Sequence, residues 1–143
     1  MIRDDGGRVM DWKLEVVVVP VSDVERSKRF YSERVGFHVD VDREVVSGMR
    51  VVQLTPSGSG CSVTIGTGLA EMEPGSLKGL QLVVTDLEAA RDHLVDRGVE
   101  VSPIRHVGDD GAWEDGPGGD WNSFVFFDDP DGNHWAVQQK PAG

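Results

Sequence analysis

The segments VSDVERSKRFYSERVGF at residues 21–37 and VTDLEAARDHLVDRGV at residues 84–99 have the same form. Each opens on a hydroxyl residue with a glutamate three places on, Ser22 with Glu25 and Thr85 with Glu88. That spacing is a capping box, which starts a helix. Val24, Ser27, Tyr31 and Val35 recur at helical spacing in the first copy, and Leu87, Ala90 and Leu94 in the second. Gly36 and Gly98 stand where a left-handed residue closes a helix. Asp23 and Asp86 are 63 residues apart and the closing glycines 62, so a whole supersecondary unit is repeated with one residue lost.

Working outward, each helix is preceded by a short apolar run, Leu14–Val19 or Leu80–Val84, too short for a helix and read as a buried strand. Three strand-like segments follow each helix. They are Phe37–Val41, Met49–Thr55 and Cys61–Gly66 in the first copy, and Val99–Ile104, Ser123–Phe127 and His134–Gln139 in the second. Ser47-Gly48 and Pro56–Gly60 supply turns. Arg105–Asn122 is rich in Gly and Asp and carries Trp113 and Trp121; so long a connection reads as a functional lid or a disordered insertion. The pattern predicts an α+β fold of two tandem βαβββ modules, residues 13–72 and 73–143, in one compact domain behind a disordered tail at 1–12. Paired modules give a curved eight-stranded mixed sheet with helices outside and a central cup, the default ligand site.

The formal charge of −11 argues against nucleic acid and anionic membranes, which need clustered Lys and Arg; it suits a cationic ligand. Cys61 is the lone cysteine, so no internal disulfide forms and a reducing cytoplasm is expected. Residues 1–9 lack the apolar core of a signal sequence. No stretch approaches the ~20 apolar residues of a membrane span.

The βαβββ pair, with VSDVERSKRFYSERVGF after the first strand and FDDPDGNHWAVQ at residues 127–138, resembles the vicinal oxygen chelate superfamily. That group includes glyoxalase I, extradiol dioxygenases, methylmalonyl-CoA epimerase, fosfomycin-resistance proteins and bleomycin-binding proteins. The most specific piece is Asp129-Pro130-Asp131-Gly132-Asn133, a tight turn on residue chemistry alone. The resemblance implies a divalent metal held by His or Gln on the first strand and Glu on the last strand of each copy. The matching positions here are Val16, Gly79 and Ala136, with the fourth falling in Thr64–Gly66. None of Val, Gly and Ala can coordinate a metal through a side chain, so the expectation is no metal and no cofactor.

Alternation along the strands proposes what lines the cup instead. Val16 and Val18 share the inward face of the first strand; Gly79, Gln81 and Val83 share that of its counterpart; His134, Ala136 and Gln138 share that of the last. Phe124 and Phe126 occupy one side of the adjacent strand and Val125 and Phe127 the other, and the sequence leaves open which side faces in. Gln81 and Gln138 are expected side by side, because first and last strands are neighbours in the related folds. Trp113 and Trp121 either anchor their loop or close over a ligand, whereas Trp135 belongs to the core. Arg105 and His106, at the rim, and His134 are the candidates for acid–base work or an anion clamp; serving Asp109 and Asp110 is the plainer role for the first two.

These features favour a metal-independent small-molecule-binding protein of the glyoxalase/bleomycin-resistance type. It would capture an aromatic or polycyclic ligand for drug sequestration or within a natural-product pathway. The resemblance to bleomycin binders implies a homodimer, with modules pairing within one chain or between two. The alternative is a metal-free isomerase, cyclase or lyase using the same cup; a glyoxalase- or dioxygenase-type metalloenzyme with displaced ligands is less favoured.

Overall fold

The computed structural model describes residues 10–46 and 48–142. The expected tail falls mostly outside them; Met10, Trp12 and Leu14 are exposed and belong to no sheet. β1 (Val16–Val18) leads into α1 (Val24–Arg29), which widens into a π-helical turn over Phe30–Val35. β2 (His38–Val46), β3 (Met49–Thr55) and β4 (Ser62–Gly66) complete the first module. The second runs β5 (Leu80–Val84), α2 (Leu87–Asp96), β6 (Arg105–Val107), β7 (Trp113–Asp115), β8 (Phe124–Asp128) and β9 (His134–Gln139).

The helices start as the repeat requires, one residue later than the capping boxes place them. The Asp23 and Asp86 carboxylates accept from the backbone N–H groups of Arg26 and Ala89. A carboxylate is favoured at the positive end of a helix, and the Ser22 hydroxyl is drawn off to Asp131. Gly36, at φ +101°, closes the first helix. Its last turn is wide because the N–H groups of Gly36 and Phe37 both reach the Tyr31 carbonyl. That widening accommodates two consecutive buried aromatics, Phe30 and Tyr31.

The tandem α+β architecture is present, with nine strands among the described residues in two sheets: β1-β4-β3-β2 and β5-β9-β8-β6-β7. The first and last strands of each repeat, β1 with β4 and β5 with β9, run parallel, and the other pairs are antiparallel. The strand expected at Val99–Ile104 does not form; only Val101 bridges to Phe127. Pro103 has no N–H to give to a ladder, and pairing resumes at Arg105. Within the Gly/Asp-rich connection, residues 105–115 form a β6–β7 hairpin rather than a disordered insertion, turned by Gly108–Ala112 with Gly111 at φ +84°.

Alternation assigns every strand two faces. Val19, Val52, Leu54, Val63 and Ile65 from the first module and Val125, Phe127, Trp135 and Val137 from the second are buried in one core with Tyr31, Phe37, Leu87 and Leu94. Each helix covers this face of its own sheet, and α2 also touches the π-helical turn. The modules are tied by Asp129, which is 5% exposed. Its carboxylate accepts from the Tyr31 hydroxyl at 2.6 Å, the Asn133 amide at 2.8 Å and the backbone N–H groups of Asp131, Gly132 and Asn133. Tyr31 in turn accepts from Trp135 Nε1 at 3.0 Å, and the Asn133 amide reaches the Pro20 carbonyl at 2.8 Å. Among the described residues no helix is long and apolar enough to cross a membrane.

Burial, then the charge and hydrogen bond of Asp129, push the Tyr31 phenol far above its ordinary range. The folded state therefore keeps this proton where the unfolded state loses it, and the stability it confers is lost as pH rises past about 10. Tyr31 is the sole tyrosine, so ultraviolet tyrosinate absorbance reads it directly. Tyrosinate should appear only together with loss of tertiary structure; ionisation near pH ~10 with the fold intact would contradict this packing.

Candidate functional site

The face of each sheet turned away from the core carries the residues singled out by alternation. On the first sheet, register places Val16 beside Ser62 and Val18 beside Thr64, with Gln53 and Thr55 next on the same face. Val16 is 41% exposed. On the second, Gln81 pairs with Ala136 and Val83 with Gln138, while Phe124 lies opposite Gln138 and Phe126 opposite Ala136. Phe124 and Phe126 therefore share the open face, and Val125 and Phe127 the core. Gln81 and Gln138 are side by side: Gln81 Nε2 donates to Gln138 Oε1 at 2.7 Å, and Gln138 Nε2 donates to the Trp121 carbonyl at 2.8 Å.

Three rings stand nearly parallel along this face. The Phe124 and Phe126 centroids are 6.2 Å apart at 9°, and His134 follows Phe126 at 5.6 Å and 12°. Trp113, delivered by β7, lies crosswise against both phenylalanines at 5.4 and 5.3 Å. It occupies the open face because its partner Val107 is two residues from Arg105, which pairs with Phe124. Trp113 and Trp121 remain 50% and 51% exposed, and Trp121 holds a left-handed backbone at φ +61°. The result is an exposed aromatic strip bordered by two amides, suited to a flat ligand.

The acid–base candidates separate. Arg105 is on the open face, 3.8 Å from Asp115. His106 points to the other face: Nδ1 bonds the Gly116 carbonyl at 2.8 Å and Nε2 stands 3.7 Å from Glu114. The acids these two serve are Glu114 and Asp115, directly across the hairpin, rather than Asp109 and Asp110. His134 is on the strip, its Nδ1 2.7 Å from the Asp128 carboxylate. Alternation could have found Asp128, which shares the face of Phe124 and Phe126, but the residue reads first as part of the Asp-Pro-Asp-Gly turn. Sequence reading also missed a polar line on the first sheet, in which Ser62 and Thr55 hydroxyls meet at 2.6 Å and Thr55 bonds Asp40. Its signal is the alternation of Gln53 with Thr55 and of Ser62 with Thr64.

Away from the strip, the charge cluster on the first sheet is structural: Arg50 bonds Asp42 and Glu25, and Lys28 bonds Asp42. Arg50 first, then Lys28, holds the Asp42 carboxyl well below the usual range. Of the clefts outside the strip, one of about 890 Å³ is walled by charged residues including Arg26, Arg29, Glu33 and Asp128. Another, about 460 Å³ and more apolar, lies between Val35 and Phe37 of the first module and Leu82, Ala90 and Leu94 of the second.

The residues at the family's metal positions do not fit a metal. Val16 and Ala136 present hydrocarbon, and Gly79, at φ +92°, presents no side chain. Among the described residues no group of three or more His, Cys, Asp or Glu stands close enough to hold one.

Residues 13–137 match the Glyoxalase/Bleomycin resistance protein/Dioxygenase superfamily; the chain belongs to that family. Among solved structures it is similar to TnmS3, an antibiotic binding protein from Streptomyces sp. CB03234, at 35% identity and TM-score 0.74, covering 94% of this chain and 100% of that one. A glyoxalase/bleomycin resistance protein from the same organism shares 37% identity with TM-score 0.70, covering 89% and 100%. A superfamily member from Sphaerobacter thermophilus DSM 20745 shares 26% with TM-score 0.72, covering 92% and 100%. No protein of curated function matches the chain by sequence.

Proposed function

We propose that this protein is a metal-independent binder of planar aromatic small molecules, of the antibiotic-capturing kind, with no cofactor and a place in the cytoplasm. The observation that carries the reading is the strip of Phe124, Phe126, His134 and Trp113 on a face that offers two amides. The rings supply stacking area and the glutamines orient a few polar groups. The antibiotic-binding character of TnmS3, at 35% identity over most of the chain, supports it. Residues 13–72 and 73–143 each supply one face of a binding cup.

The active form in this reading is a homodimer. The first-module face, with Val16 and Val18, and the second-module face both lie open in the single chain, and Val83 is 48% exposed. Among the described residues β1 and β5 are edge strands without an outer partner, and apolar faces beside free edges call for a covering surface. A twofold assembly closes both cups at once. A metal-free isomerase, cyclase or lyase is the second reading, favoured by the His134–Asp128 pair; it requires turnover, whereas a binder returns its ligand unchanged after incubation.

Tryptophan fluorescence titrated with planar polycyclic antibiotics should saturate, chelator should leave the affinity unchanged, and Phe126→Ala should weaken it about tenfold by removing the middle ring. Flat titrations across the panel, or affinity abolished by chelator, would contradict the reading. Sedimentation equilibrium should give the mass of two chains; a monomer that still binds would remove the dimer from it.

A further inference from the structure

Resting on the aromatic-capture reading, we propose that His134 determines specificity by accepting a hydrogen bond from a hydroxyl carried on the ligand's ring system. Three observations support it. His134 continues the ring column, 5.6 Å from Phe126 and nearly parallel to it, so a flat molecule on the strip comes to its side chain. Its Nδ1 stands 2.7 Å from Asp128 Oδ1, and an ionised carboxylate can only accept. That contact assigns the proton to Nδ1, and with this tautomer Nε2 carries the lone pair.

The third observation is the charge around the ring. His134, Phe126 and Asp128 border a cleft of about 340 Å³ whose wall also holds Glu100. Carboxylates on that wall repel an anionic substituent, and the acceptor at Nε2 leaves an ether or carbonyl without a donor. A neutral aromatic hydroxyl meets both conditions. Asp128 is a positioning residue here: it fixes which nitrogen is free.

The test compares a hydroxyanthraquinone with its methyl ether, measured by fluorescence quenching and calorimetry on the whole chain. Wild-type protein should prefer the hydroxyl compound by about tenfold, the size of one well-placed hydrogen bond. His134→Phe, which keeps the ring column, should bind both compounds and lose the preference; His134→Leu should lose it as well. A preference that survives both substitutions, or none in wild type, overturns the assignment to His134 while the capture reading stands. Failure of wild type to bind either probe overturns both.

Discussion

The fold depends on one buried carboxylate. Asp129 satisfies the hydroxyl of Tyr31, the amide of Asn133 and three backbone N–H groups of its own turn. A buried charge is tolerable only with this degree of pairing, and removing one partner of such a group typically costs about 3–5 kcal/mol. The same knot joins the modules, because Tyr31 lies in the first and Trp135, its other partner, in the second. With the helix-facing sides of the two sheets locked around it, the opposite sides have only solvent or another chain to meet. The open aromatic strip is thus a consequence of where the modules are fastened.

That separation of faces is enforced by period-two alternation. On β8, Val125 is fully buried and Phe127 nearly so, while Phe124 and Phe126 are half-buried. A slip of one residue would exchange the buried set for the exposed set. The register is fixed from both sides, by Phe127 stacked on Trp135 in the core and by Phe126 stacked on His134 outside. The core and the proposed binding face therefore use the same strands and different atoms.

Much of this was legible in the sequence. The repeat delivers the architecture because both copies carry their own start and stop signals, and alternation places Val16, Val18, Gln81, Ala136 and Gln138 on one side without coordinates. The contact between Gln81 and Gln138 follows once first and last strands are neighbours. What was not legible depends on non-local partners. The first helix cap shifts because Asp131, 109 residues away from Ser22 in sequence, claims its hydroxyl. The hairpin hides in a Gly/Asp composition that reads as loop, since its pairing uses only three residues per strand. His106 is turned from the cup by register alone, and the Asp129 knot is invisible because Asp-Pro-Asp-Gly is already explained as a turn.

Methyl NMR tests the central claim directly, because adjacent residues on β9 report opposite faces. Binding of a planar aromatic should shift the Ala136 methyl by ring current and leave the buried Val125 and Val137 methyls in place. The account would be contradicted by an unmoved Ala136 with shifts at Leu82, Ala90 and Leu94, which would put the ligand in the cleft between the modules.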